Sequence, residues 1–319
     1  MDRPPLALIG GTGFIGARLV ANLVRDGRPV RIAARRREHA RHLATLPVEI
    51  VELDSFDTRS LARFVAGAQV AVNLVGVLHG GHGKPYGEGF RQAHVALPAA
   101  LAAACAEAGV PQLVQVSALG ADSRGPSMYQ RSKGDGEAAL HAAAAASGGA
   151  LAVTVLRPSV VFGPGDAFLS TFARLQRSLP VLPLAMPDAQ FQPIYVGDVA
   201  QALSRVSGLR EAHGKTYELG GPKVYTLEQL VRYCGVLVGH EARILRLPDA
   251  LARWQARLFE CLPGEPVMTR DNLDSMRVPN LASGPLAPEL GIRPASIESV
   301  APSYLGAGGT RHDAWRARR

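Results

Sequence analysis

A chain of 319 residues, 47% hydrophobic and 19% charged, is long enough for two domains or for one large α/β unit with an appended lobe, and too apolar for disorder. Its net charge of +8 is concentrated in two short segments, Arg35, Arg36, Arg37 and Arg41 around Glu38, and Arg311, Arg316, Arg318 and Arg319 around Asp313. With only 6% aromatic residues to interleave with those cations, a nucleic-acid surface is disfavoured and a local anion site is expected. Cys105, Cys234 and Cys261 form no CxxC pair, which excludes a disulfide framework and a cysteine zinc site and points to a reducing compartment. The nine histidines make no HxxxH-type cluster with carboxylates, so no metal is expected.

Strand and helix signals alternate from the first residues. Leu6–Ile9 reads as a strand, Phe14–Arg25 as a helix and Val30–Ala34 as a strand. Short apolar runs at 48–53, 70–74, 113–116 and 151–156 suit strands buried on both faces, and helical stretches at 58–66, 90–108 and 129–146 separate them. Six such strands with right-handed crossovers predict an α/β fold, a doubly wound parallel sheet of the Rossmann type. Residues 138–156 hold no Asp, Glu, Lys or Arg, but Gly148 and Gly149 divide them into a helix end and a buried strand, so no span is expected. The apolar run from Leu6 is broken at once by glycines, which is unlike a signal peptide. Beyond Pro158 the rhythm loosens at Pro180, Pro183, Pro187 and Pro193, then resumes with a helix at Val196–Val206 and a strand at 217–219. The expected division is 1–165 for the dinucleotide domain with returns near 191–222, 166–300 for an interleaved smaller C-terminal lobe, and 301–319 for a basic tail.

The segment GGTGFIG places Gly10, Gly13 and Gly16 between a strand and a helix. The first glycine permits the tight turn, the second lets backbone reach a pyrophosphate, and the third lets helix and strand pack closely. Thr12, Phe14 and Ile15 share that helix N-terminus. An acid about 20 residues further on would hold the ribose hydroxyls of NAD, but the second strand ends in Ala33, Ala34, Arg35, Arg36 and Arg37. Guanidinium groups suit a 2′-phosphate, so NADP (NADPH) is the preferred cofactor, with NAD as the other option and Arg35 or Arg36 as the contact. Tyr129 and Lys133 stand four apart at the start of a helix and project from one face. With four lysines and seven tyrosines in the chain, about 0.09 such pairs arise by chance. A nearby cation is what a phenol needs to serve as a proton donor or acceptor.

Together these motifs resemble a short-chain dehydrogenase/reductase of the extended or atypical kind, the NAD-dependent epimerase/dehydratase-like proteins. The likeness runs over about residues 6–290. Asp54 and Ser55 end the third strand where the family holds the adenine. The run from Asn73 through Val75 to Gly76 ends the fourth, where the family lines the cofactor. Pro158 and Val161 follow the sixth, and FQPIYVGDVA and YELGGP resemble later returns to the cofactor domain. Within the family, NLVGVLHG, VSALGAD, LRPSVVFGPGD, FARLQRSLPVLPL and MTRDNLDSMRVPN are most similar to the group containing the NADPH-binding accessory subunit of respiratory NADH:ubiquinone oxidoreductase and its bacterial relatives. For that group the resemblance implies a tightly held dinucleotide and ties to the respiratory chain or to quinone biosynthesis. The chain departs from the catalytic pattern where a second Ser or Thr is usual, since Ser117 is followed by Ala118; Ser127 is a more distant substitute. His94 takes the place of a common family asparagine and reads as a surface or capping residue rather than a proton relay.

Two functions stay open at this point. One is an NADP-dependent oxidoreductase or epimerase-like enzyme acting on an unidentified small molecule through a carbonyl or hydroxyl, with Tyr129 as acid/base, Lys133 lowering its pKa and Ser117 as the remaining hydroxyl. The other is a non-catalytic NADPH-binding scaffold or assembly factor. The expected location is cytoplasmic, with peripheral contact on the inner membrane face. Leu247, Leu251, Trp254, Leu258 and Leu262 line one face of a helix starting near Pro248, beside Arg253 and Arg257. Such a stripe ordinarily packs against its own domain, and next to arginines it also suits an anionic membrane interface, which the basic tail would assist.

Overall fold

Each short apolar run becomes a parallel strand because a helix of sufficient length returns the chain to the same end of the sheet before the next run begins. The strands are β1 (Leu6–Ile9), β2 (Val30–Ala34), β3 (Glu49–Glu52), β4 (Val70–Asn73), β5 (Gln112–Val116) and β6 (Ala152–Pro158), and Thr216–Leu219 adds a seventh beside β6. This computed structural model describes residues 3–264 and 266–306, so the Arg-rich stretch 307–319 of the expected basic tail lies outside the described residues. The sheet runs from Thr216–Leu219 through β6, β5, β4, β1 and β2 to β3, with all neighbours parallel. In the register Leu6 faces both Val30 and Val70. The strand order therefore reverses at β1, and the C-terminal ends of β1 and β4 diverge there, where doubly wound sheets bind ligands.

The chain forms two units, each with its own core. The first comprises the chain up to Pro158, Val196–Leu219 and Ser283–Ile292. On one face of its sheet, Ala7, Ile9, Leu113, Val153 and Val155 pack with Leu61 and Phe64 of helix α2 (Thr58–Val65), with Leu101 and Cys105, and with Leu140. On the other face, α1 (Phe14–Arg25) buries Leu19, Val20 and Leu23 and packs beside the helix Val196–Val206. Polar side chains, Gln112 buried and Arg28 half-buried, tie that returning helix down. Arg28 donates to the carbonyls of Ser204 and Ser207, and Gln112 donates to Val206 and accepts from Gly208 N–H.

The second unit comprises Ser159–Tyr195, Gly220–Ala282 and the chain from Arg293. Three two-stranded pairings frame it: Val161–Phe162 with Ile194–Tyr195, Gln190–Phe191 with Tyr225–Thr226, and Val181–Leu184 with Arg243–Arg246. Its main core gathers Phe162, Leu169, Phe172, Leu182, Leu230 and Val231. The helix Asp249–Glu260 does not bury its Leu and Trp stripe; Ala252 and Ala256 are its buried residues.

The helix Met128–Ala146 crosses the segment around His94 so closely that a Cβ on Gly136 would collide with the His94 carbonyl oxygen. Gly136→Ala is therefore expected to destabilise the protein by about 1–3 kcal/mol, read as a lower urea midpoint. Alanine tolerated without loss would contradict this packing.

Candidate functional site

The turn after β1 begins with Gly10 at φ +81°, where a Cβ would stand 3.1 Å from backbone atoms of Leu74 and Val75. Gly13 N–H donates to the Gly10 carbonyl at 3.1 Å, and a side chain at Gly16 would overlap the backbone of Gly10 and Gly11. Gly13 caps α1 with no side chain, and no acid occupies the first turn, so the N–H groups of Phe14, Ile15 and Gly16 remain open to an anion beside Thr12. Arg35 and Arg36 follow β2, are exposed, and make no ion pair among the described residues. Asp54 and Ser55 are exposed after β3; the Ser55 hydroxyl is engaged, donating at 2.8 Å to Asp57, which caps α2.

Beyond β4, Asn73 accepts from Val75 N–H and donates to Gln115, which donates to the Val116 carbonyl. This buried chain of amides fixes the loop holding Val75 and Gly76. Val77 N–H then donates to His94 Nε2 at 3.1 Å. His94 is therefore a corrected reading: it is buried rather than a surface or capping residue. With Nε2 accepting, the proton belongs on Nδ1, which lies 2.8 Å from Ser132 Oγ, and Ser132 donates to the Tyr129 carbonyl at 2.9 Å. The turn Arg91–Ala96 that carries His94 is π-wound, a distortion frequent at functional sites.

A capping box between Ser127 and Gln130 starts the helix of Tyr129 and Lys133 and occupies the Ser127 hydroxyl, which removes Ser127 as a substitute catalytic hydroxyl. Lys133 is buried, with Nζ 3.5 Å from the Val116 carbonyl oxygen and 5.8 Å from the Tyr129 ring centre. A Cβ on Gly76 would lie 3.3 Å from that same Nζ. Next to Val116, Ser117 Oγ is buried with no hydrogen-bond partner among the described residues. A hydroxyl left so costs about 1–3 kcal/mol, which a ligand acceptor would recover. The Tyr129 ring packs edge-to-face against both Phe90 and His94.

Burial governs the ionisation of this wall. It pushes the Tyr129 phenol up to about 12, the reverse of the lowering expected from Lys133, and brings Lys133 down to about 8 against the pull of Glu137. Burial, with the Lys133 charge second, takes His94 down to about 2. Pro158 closes β6 and accepts from Leu119 N–H, whereas Val161 belongs to the second unit, paired with Ile194.

The sequence model of the NAD dependent epimerase/dehydratase family matches residues 6–220, from β1 to the seventh strand. The chain belongs to that family. It is 30% identical over 300 residues to the mitochondrial NADH dehydrogenase [ubiquinone] 1 alpha subcomplex subunit 9 of Rattus norvegicus, covering 91% of this chain and 77% of that one. It is 31% identical over 249 residues to a ceramide reductase of Caulobacter vibrioides, covering 77% and 74%. In fold it is similar to an NADPH-dependent quinone oxidoreductase from Escherichia coli complexed with NADPH, at TM-score 0.74 and 20% identity over 94% of this chain and 99% of that one. It is likewise similar to a Thermus thermophilus UDP-glucose 4-epimerase in complex with NAD, at TM-score 0.63 and 20% identity over 86% and 99%.

Two residues of this hydrogen-bond network, Gln115 and Ser132, were not singled out from sequence. Each is a small polar residue whose role appears only when β5 and the Tyr129 helix are brought beside their partners. Neutral His94 links loop and helix, and this has a pH consequence. The unfolded chain protonates His94 below about 6.5 and the folded chain only near 2, so its stabilisation is complete above pH 6.5 and is lost as pH falls toward 2. His94→Gln, which keeps a donor and an acceptor, is expected to lose less stability than wild type between pH 7 and pH 4 in urea titrations. Parallel losses would contradict a buried neutral imidazole.

Proposed function

We propose that the first unit is an NADPH site at which the protein reduces a carbonyl, or oxidises the corresponding hydroxyl, as an oxidoreductase of the short-chain type. The observation that carries this reading is Ser117 Oγ, a buried donor with no partner among the described residues, one residue from the carbonyl that Lys133 approaches. The residues fit a dinucleotide: the open first turn of α1 suits a pyrophosphate, the side-chain-free approach of Gly10 and Gly13 leaves room for it, and Lys133 suits ribose hydroxyls. Arg35 and Arg36, exposed and without an ion pair among the described residues, favour a 2′-phosphate and hence NADP over NAD.

When bound, the nicotinamide supplies or accepts the hydride at the substrate carbon. In reduction, Ser117 O–H donates a hydrogen bond to the carbonyl oxygen, and Tyr129 gives its proton to that oxygen as negative charge develops there. A phenol raised to about 12 holds its proton until then, so Tyr129 acts as an acid rather than as a resting phenolate. The Lys133 ammonium offsets the charge left on the ring oxygen. The name of the ceramide reductase relative supports a reductive direction. A second reading, an NADPH-binding scaffold or assembly factor tied to the respiratory chain or to quinone biosynthesis, is favoured by Ala118 in place of the second hydroxyl and by the respiratory relatives. Either reading suits a cytoplasmic protein held peripherally at the inner membrane face; among the described residues no helix is long and apolar enough to cross a membrane.

Calorimetry is expected to show NADPH binding more tightly than NADH. Arg35→Ala or Arg36→Ala should weaken NADPH about ten- to a hundredfold and leave NADH unchanged, the scale of a lost charge-assisted bond. Equal affinities in the wild type would overturn the cofactor preference. With the substrate of the reductase in hand, Tyr129→Phe should lower turnover by about two to four orders of magnitude while nucleotide affinity stays near wild type. Unchanged turnover would leave only the scaffold.

A further inference from the structure

The helix Asp249–Glu260 in the second unit is turned the wrong way for an ordinary surface helix. Ala252 and Ala256 are buried with Ala185 and Leu273. Leu251, Trp254 and Leu258 are 55%, 67% and 47% exposed, and Leu262, just past the helix end, is 55% exposed. At 3.6 residues per turn Leu251, Trp254 and Leu258 fall within an arc of about 60°, on the side away from the two alanines. Amphipathic helices place bulky apolar residues inward. A Trp and three Leu left in water form a patch of the kind that marks a contact surface.

The charges say which contact. Asp249 faces Arg253 and Arg277, and Glu260 is bonded to both the backbone N–H and the side chain of Arg270, so the two carboxylates of the helix are already neutralised within the second unit. Arg257 is exposed at the edge of the apolar arc and makes no ion pair among the described residues. The strand leading into the helix repeats the combination. Arg243 and Leu245 are exposed on one side of Arg243–Arg246, in register with exposed Val181 and Pro183, while Ile244 packs into the core. Bulky apolar groups fringed by guanidiniums that lack internal acids are complementary to acyl chains beneath a layer of phosphates, where Trp sits at headgroup level and Arg reaches outward.

We propose that the outward face of the helix Asp249–Glu260, extended by Leu262 and by Arg243 and Leu245, docks on an anionic lipid bilayer with the helix lying in the plane of the interface. The inference rests on the proposed function only for a membrane location; nucleotide and chemistry play no part in it.

The test uses the full chain with Trp315→Phe, which leaves Trp254 as its single indole. Vesicles are phosphatidylcholine alone, or phosphatidylcholine with about 30% phosphatidylglycerol, with brominated acyl chains in a parallel set. The chain should float with the anionic vesicles at low salt, and Trp254 emission should shift to the blue and be quenched by bromine. Leu258→Glu should reduce binding about tenfold or more, and Arg257→Ala should weaken it and flatten its salt dependence. Both positions are exposed, and an unchanged melting temperature will show that the variants fold. No flotation at low salt overturns the proposal, as does flotation without quenching of Trp254. So does concentration-dependent pairing of the chain that buries Trp254 and is abolished by Leu258→Glu, which would make a second copy the occupant. NADPH calorimetry on the same samples separates the two readings, since vesicle binding without nucleotide binding would remove the proposed function alone.

Discussion

A side chain at position 10 would stand 3.1 Å from the backbone of Leu74 and Val75, and the organisation of the first unit follows from that closeness. Because nothing intervenes between the turn after β1 and the end of β4, α1 starts directly beside the β4 loop with its first N–H groups uncapped. The loop is then carried step by step toward the Tyr129 helix. Asn73 holds Val75, His94 holds Val77, Ser132 joins His94 to the Tyr129 carbonyl, and Gly76 leaves room for the Lys133 ammonium. The glycine turn after β1 and the Tyr129–Lys133 helix, far apart in sequence, are thus joined through one hydrogen-bonded chain, beside which Ser117 Oγ alone is a buried side-chain polar atom without a partner among the described residues.

Within that network desolvation outweighs charge. The phenol of Tyr129 is raised, the ammonium of Lys133 is lowered, and His94 is kept neutral, each chiefly by burial. At neutral pH the wall therefore offers proton donors and one cation close to its own titration. Such a wall suits an oxygen atom that gains negative charge, as the carbonyl oxygen does on reduction. The same donors would hold a nucleotide ribose without turnover, which is why binding and catalysis must be measured separately.

Much of the fold could be read from the sequence because its signals are local. Leu6–Ile9, Val30–Ala34, Phe14–Arg25 and Val196–Val206 have the expected bounds, since apolar runs and helical periodicity set them without tertiary help. The joining of Ser283–Ile292 to the first unit was not legible, for it depends on contacts such as Ser283 N–H to Glu218, and Lys215 and Tyr217 to Glu289. His94 misled for a related reason: an isolated histidine in a helix carries no sign of the loop that will cover it. The stripe from Leu247 to Leu262 shows the limit of periodicity. Periodicity finds two faces of a helix, and here the smaller residues, Ala252 and Ala256, fit the space against Ala185.

We propose that the open α1 terminus, Arg35 or Arg36, Lys133 and the Ser117 hydroxyl, unpartnered among the described residues, belong to one NADPH site. A crystal structure of the protein grown with NADPH tests it most directly. The 2′-phosphate is expected against Arg35 or Arg36, the pyrophosphate at the N–H groups of Phe14 to Gly16, ribose hydroxyls on Lys133 Nζ, and an acceptor within hydrogen-bond distance of Ser117 Oγ. Ribose gripped instead by Glu38 or Asp54, or a bound nucleotide that leaves Ser117 Oγ still without a partner, would contradict it.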